Sequence, residues 1–130
     1  MFYVFNNQEE RRKFGGSAFI EIRFCEMPFG TKIKKVIARK SIKDWRDDSL
    51  YIYVDDIDTF DNEYSSFFAF GTYNNTKSGI LDIFGVNYYK SDLIDNIAAI
   101  ILENKPTDYE ILIEWLYKAK NYNGFYILGI

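Results

Sequence analysis

Histidine is absent from the 130 residues. That removes the commonest general base, the usual activator of a serine or cysteine nucleophile, and a leading zinc ligand. Cysteine occurs once, at Cys25, so no intramolecular disulfide can form, and thiolate zinc and iron–sulfur sites are excluded. Small secreted domains are usually cross-linked, which makes a reducing cytosol the expected compartment. Neither a P-loop nor a dinucleotide-binding glycine motif occurs. The Gly15-Gly16 pair is followed by an alternating segment with strand character rather than by a helix. Long apolar runs are missing as well: the longest, Ile97–Leu102, falls far short of a membrane span. The segment Met1–Glu10 lacks the basic start and apolar stretch of a signal peptide. These absences favour a binding protein over an enzyme, and no cofactor is expected.

What is present is ordinary for one globular domain spanning residues 1–130: 48% apolar and 27% charged residues. Aromatic residues are abundant, with 12 Phe, 11 Tyr and 2 Trp. Their first use is to fill a β-rich core, and a minority would serve as interface anchors.

Charge is segregated along the chain. Residues 1–46 hold eleven cations against five carboxylates, a net +6, and residues 47–130 hold five against fourteen, a net −9. The basic part is concentrated in Thr31–Lys43, with Lys32, Lys34, Lys35, Arg39, Lys40 and Lys43 and no acid. The next twenty residues carry eight carboxylates, Asp44, Asp47, Asp48, Asp55, Asp56, Asp58, Asp61 and Glu63, against Arg46 alone. Clustered charge of one sign draws an oppositely charged surface and speeds encounter with it.

The spacing of apolar residues predicts an α+β fold, mainly an antiparallel sheet with two C-terminal helices on one face and a final C-terminal strand. Met1–Phe5 opens as a strand and Asn6–Lys13 as a short helix. Ser17–Cys25 alternates Ala18/Ile20/Ile22/Phe24 with Phe19/Glu21/Arg23/Cys25, as a half-buried strand does. The basic segment fits either a helical turn over Ile33, Val36 and Ile37 or a strand over Val36–Ile42 with a cationic edge. Its β-branched content favours the strand. Ser49–Val54 is a strand, Asp55–Asp61 an acidic turn, and Glu63–Phe70 and Gly79–Val86 two further strands joined by a hairpin connection at 71–78. Ser91 is the expected cap of a helix through Asn104. Thr107 and Glu110 have the spacing of a reciprocal cap opening a second helix through Lys120, with Glu114 and Lys118 as an i,i+4 pair. Asn123-Gly124 is a turn before a strand at Phe125–Leu128.

The acidic stretch is the expected partner-binding surface: Asp44, Asp47, Asp48, Asp55, Asp56, Asp58, Asp61 and Glu63, flanked by Tyr51 and Tyr53. Strand alternation puts both tyrosines on one face, opposite Leu50, Ile52 and Val54, and the apolar set is the one expected to meet the core. Asp55, Asp56, Asp58 and Asp61 begin like a calcium loop but lack its glycine at the sixth position and its closing glutamate at the twelfth, so no metal is expected. Nucleic-acid contact through residues 32–43 is set against a pI near 5.0 and the carboxylates that follow.

With its acidic stretch Asp44-Trp-Arg-Asp-Asp…Asp55-Asp-Ile-Asp…Asp61-Asn-Glu63 and one-domain size, the chain resembles in general character the small immunity proteins of bacterial polymorphic and contact-dependent toxin systems. The resemblance implies tight binding to, and inhibition of, one cognate toxin domain, a nuclease being the natural target because its surface is basic. The alternative is a phage-type inhibitor or accessory protein acting on a host nucleic-acid machine through the basic segment.

Overall fold

A computed structural model describes the chain apart from residues 17, 39–41, 43, 74–76 and 130, and apart from the side chains of residues 73, 77 and 78. Seven antiparallel strands form one sheet: β1 (Phe2–Tyr3), β2 (Phe19–Phe24), β3 (Leu50–Tyr53), β4 (Gly71–Tyr73), β5 (Lys77–Gly79), β6 (Val86–Tyr89) and β7 (Phe125–Leu128). Their order is β1-β3-β2-β7-β6-β4-β5. The C-terminal strand therefore lies near the centre, pairing Ile22 with Ile127 on one side and Asn87 with Ile127 on the other. Among the described residues five α-helices accompany the sheet: α1 (Gln8–Gly15), α2 (Ile33–Val36, a single turn), α3 (Ile57–Tyr64), α4 (Ile94–Asn104) and α5 (Tyr109–Ala119).

The larger core occupies one face. Ile20, Ile22 and Phe24 of β2, Leu50 and Ile52 of β3, and Phe125 and Ile127 of β7 meet the apolar stripes of α3, α4 and α5 there. On α4 these are Ile94, Ile97, Ala98 and Ile101, and on α5 Leu112, Trp115, Leu116 and Ala119, at the spacing that a 3.6-residue period dictates. The two C-terminal helices and the final strand thus stand where periodicity puts them.

The opposite face is covered too. Phe5, Phe19 and Tyr51 form a cluster with Tyr3, Trp45 and Tyr53. Phe14 of α1 packs onto Tyr3, Phe5, Phe19 and Tyr53. The Arg11 guanidinium sits 5.4–5.7 Å from the rings of Phe19, Trp45 and Tyr51, a cation–π arrangement. Val36 and Ile37 at the end of α2 bury against Cys25, Val86, Tyr88 and Tyr126. Alternation along the strands was correctly legible, but both sides of the central strands are largely covered, with Glu21 and Arg23 of β2 only partly exposed.

Several expectations are overturned. Asp55–Asp61 is not a turn: a 3-10 turn at Val54–Asp56 leads into α3, because Ile57, Phe60 and Tyr64 repeat at helical spacing and point into the core. Glu63–Phe70 is not a strand but the end of α3 and a 3-10 turn at Ser65–Phe68. The hairpin strands lie inside the expected connection, at Gly71–Tyr73 and Lys77–Gly79, with 74–76 outside the described residues. Gly79–Val86 is largely a turn, and the following strand starts at Val86. In the basic segment the helical turn wins over the strand, since Ile33 and Val36 reach one apolar cluster. Residues 39–41 of the expected strand lie outside the described ones.

Caps also fall elsewhere. Asn7 caps α1 by accepting the Glu10 N–H at 2.8 Å, while Glu10 accepts the Asn6 N–H at 3.3 Å. Gly16, at φ +87°, then ends that helix. Ser91 lies in a 3-10 turn ahead of α4 and caps nothing. Thr107 turns away from Glu110: its N–H and hydroxyl donate to Glu63 at 3.0 and 2.9 Å. Lys120 pairs with Asp95 at 2.9 Å, whereas Glu114 and Lys118 form no ion pair among the described residues.

Candidate functional site

Strand β3 divides the acidic stretch into two groups with different fates. Before it, Arg46 and Asp48 turn inward while Asp44 and Asp47 stay exposed. Arg46 grips Asp48 with two hydrogen bonds, at 3.0 and 2.5 Å, and also pairs with Glu26. Burial works against the Arg46 charge, but the Asp48 carboxylate outweighs it and the guanidinium pKa stands above its ordinary value. The Asp48 carbonyl accepts the Trp115 indole at 2.8 Å, and the Asp44 carbonyl accepts Arg23 at 2.5 Å. Asp44 and Asp47 are exposed and join no ion pair among the described residues. Of this group only the Asp48 carboxylate is fastened to the fold.

After β3 the carboxylates face outward. Asp58 and Asp61 lie on the solvent side of α3, opposite buried Ile57, Phe60 and Tyr64, and Asp55 stands three residues before them in the 3-10 turn. None of Asp55, Asp56, Asp58 and Asp61 joins an ion pair among the described residues. Asp55, Asp56 and Asp58 crowd the helix N-terminus, where the macrodipole favours them, and Asp61 takes a hydrogen bond from Ser65. Glu63 is committed to Thr107 and leaves the set. Among the described residues no group of three or more acidic, Cys or His side chains is placed to hold a metal ion.

Of the two tyrosines, Tyr51 is too deeply buried to serve as a surface anchor. Tyr51 is 1% exposed, inside the aromatic cluster, and its hydroxyl donates to the Arg46 carbonyl at 3.5 Å. Tyr53 is half-buried against Phe14 and Phe19. The reason is the second covered face: α1 and Trp45 roof the surface that an exposed sheet would have left open.

Sequence reasoning missed an apolar patch beside α3. Phe70, Ile80 and Phe84 are 70%, 76% and 66% exposed. Gly71 pairs with Gly79, so Phe70 and Ile80 stand side by side just past the end of the β4–β5 ladder. Ile80 and Phe84 line an open groove of about 450 Å³ together with Asp61, Leu81, Asp82 and Ile83. The acidic row on α3 thus leads into an apolar groove. The single signal available in the sequence was a turn segment, Ile80–Gly85, unusually rich in large apolar residues.

That turn is held firmly. Asn87, 1% exposed, accepts the Asp82 N–H at 2.9 Å and donates to the carbonyls of Asp82 and Ile127 at 2.7 and 3.0 Å. Asp82 in turn accepts the Phe84 N–H at 2.9 Å. A Cβ on Gly129 would lie 2.3 Å from the Ile83 carbonyl oxygen, so the close approach of β7's end to this turn requires glycine. Replacing Asn87 by Ala is expected to cost about 1–3 kcal/mol, because it strands the Asp82 N–H without a partner. Urea denaturation measures the loss, and faster hydrogen exchange at Asp82 and Phe84 would locate it.

On the other side of the sheet, Lys32, Lys34 and Lys35 of the α2 turn are exposed, near an exposed Phe29. The cationic and anionic regions therefore sit on opposite faces. No helix among the described residues is long and apolar enough to cross a membrane. No family model, curated protein or solved structure matches the chain.

Proposed function

We propose that this chain is a binding protein of the immunity type, which occupies a basic surface on a cognate toxin domain and blocks it. The observation that carries the reading is the set Asp55, Asp58 and Asp61, unpaired among the described residues on the outer side of α3 and the 3-10 turn before it, opening onto exposed apolar side chains. Carboxylates held on a helix can stand where phosphates would, which suits a nuclease surface, and complementary fields raise the association rate. A sequence without histidine supports inhibition by coverage rather than by chemistry. The cytosol is the compartment in which such an inhibitor would act.

The test is association with a candidate toxin domain. Converting Asp55, Asp58 and Asp61 together to Lys is expected to slow association at least tenfold at low salt and to flatten its salt dependence. Binding unchanged across salt concentrations would discard the acidic surface.

One observation favours the alternative, a phage-type inhibitor or accessory protein touching nucleic acid. The α2 lysines lie across the sheet from α3, so the carboxylates do not oppose a phosphate backbone there. Retention on a single-stranded DNA column, lost on converting Lys32, Lys34 and Lys35 to Glu, would turn the assignment to this reading.

A further inference from the structure

We infer that the groove beside α3 is an anchor site for a cationic amphipathic helix of the partner. Its apolar end would seat between Ile80 and Phe84, and its cations would run along Asp61, Asp58 and Asp55. The inference rests on the acidic-surface reading and adds the apolar contact and the form of the occupant.

Three observations carry it. First, the patch is contiguous and fixed in place. Single exposed apolar residues are unremarkable, but Phe70, Ile80 and Phe84 cluster, and each is about two-thirds or more exposed. A mobile loop would lose ordering entropy on binding. This turn is already fastened by buried Asn87, by Asp82 and by the Gly129 N–H to the Gly85 carbonyl at 2.8 Å.

Second, area and charge together select the occupant. The three side chains offer on the order of 400 Å² of apolar surface, about half of one partner's share in a stable interface. The contact must therefore extend onto neighbouring surface, and the groove's own wall supplies it through Asp61. A second copy docking the same patch would bring a second acidic row into the same interface, because a two-fold contact uses the same patch on both copies. A cationic partner gains where a second copy loses.

Third, spacing selects a helix. Asp58 and Asp61, three residues apart on α3, are separated by a rise of about 4.5 Å, which matches cations at i and i+3 on a helix laid alongside. Same-face side chains of an extended strand stand roughly 6.7 Å apart and fall out of step after one contact.

The experiment uses the intact protein and two synthetic peptides of identical composition. The first is helical, with lysines at i, i+3 and i+6 and Leu and Phe one turn beyond, and the second is interrupted by a central D-proline where the first has L-proline at its N-terminus. Titrations are followed by amide chemical shifts and by fluorescence anisotropy at low and moderate salt. The helical peptide is expected to shift the amides of Ile80–Phe84 and of Asp58 and Asp61, and the interrupted one to bind at least tenfold more weakly. Phe84→Ser or Ile80→Ser, both at exposed positions, should weaken binding about tenfold and keep its salt dependence. Asp58→Asn with Asp61→Asn should weaken it at low salt and remove that dependence. If the serine variants bind like the wild type while the asparagine pair does not, the acidic surface stands and the anchor groove falls. If the asparagine pair binds like the wild type, both fall. Equal binding of the two peptides overturns the helical occupant. A dimer in sedimentation that Phe84→Ser dissolves overturns the cationic partner in favour of a second copy.

Discussion

Raising the pH from about 10 towards 12 is expected to unfold the protein in one steep transition. Five tyrosines, Tyr51, Tyr64, Tyr88, Tyr89 and Tyr126, are at most 3% exposed. Each donates its hydroxyl to a backbone carbonyl, of nearby Arg46 for Tyr51 and of the distant Thr107, Asn123, Phe68 and Val36 for the other four, respectively. Burial raises the pKa of all five phenols, with Glu21 adding to the shift at Tyr51 and Glu63 at Tyr64. A phenolate could not donate, and it would face a carbonyl oxygen. Above about pH 10 the unfolded chain releases these protons while the fold retains them. The unfolded state then binds fewer protons, so stability falls as pH rises, beginning at the unfolded pKa and continuing to the folded ones. Each tyrosine contributes a slope of about 1.4 kcal/mol per pH unit, and five acting together reach roughly 7, comparable with the whole stability of a domain. Circular dichroism and tyrosinate absorbance should change together. Tyr89→Phe should lower the slope by about one fifth, as one of five equal contributions. A gradual tyrosinate titration with the fold intact would contradict the account.

These same residues show why the aromatic richness of the sequence was only half legible. Abundant tyrosine was compatible with core filling and with interface anchors, and the distinction turns on whether a face is covered. Nothing local to Leu50–Tyr53 states that α1 and Trp45 will roof it. The partner-binding role expected for Tyr51 failed on that long-range fact, while Tyr53 keeps part of its surface open. Strands β2, β3 and β7 and helices α4 and α5 were legible because a single period runs unbroken through each. The stretch from Asp55 to Phe70 was not. Tyr64, Phe67 and Phe68 sit at i, i+3 and i+4, a helical spacing, yet aromatic enrichment also signals strand, and the wrong signal was weighted. The carboxylates before them read as a solvated turn although they suit the start of a helix. The acidic half of the candidate site could be found in the sequence because charge is visible residue by residue. The apolar half depended on the β4–β5 register, which places Phe70 beside Ile80 and cannot be read from either segment alone.

Trp115→Ala is expected to cost about 3–5 kcal/mol, enough to leave a domain of ordinary stability marginal or unfolded. The indole lies flat on Phe24, with centroids 4.1 Å apart at 7°, and edge-on to Phe125 at 5.9 Å and 87°. It therefore joins α5 to β2 and β7 at the centre of the sheet. Truncation would enlarge an existing cleft of about 270 Å³ between β1, β3 and α5, which Trp115 lines with Val4, Leu50 and Ile111. The walls are strands and a helix tied into the sheet, so collapse cannot fill the space, and the cavity cost adds to the lost burial. A second loss is polar: the Asp48 carbonyl, 2.8 Å from Nε1, would lose its donor. Because Asp48 also holds Arg46, the segment that turns these two side chains inward would loosen with it. Trp115→Phe separates the two contributions. It keeps an aromatic stack and removes the hydrogen bond, for an expected cost of about 1–2 kcal/mol. Urea denaturation of both variants decides the matter: a loss below about 1 kcal/mol in the alanine variant would show that the stack on Phe24 is not the joint between α5 and the sheet.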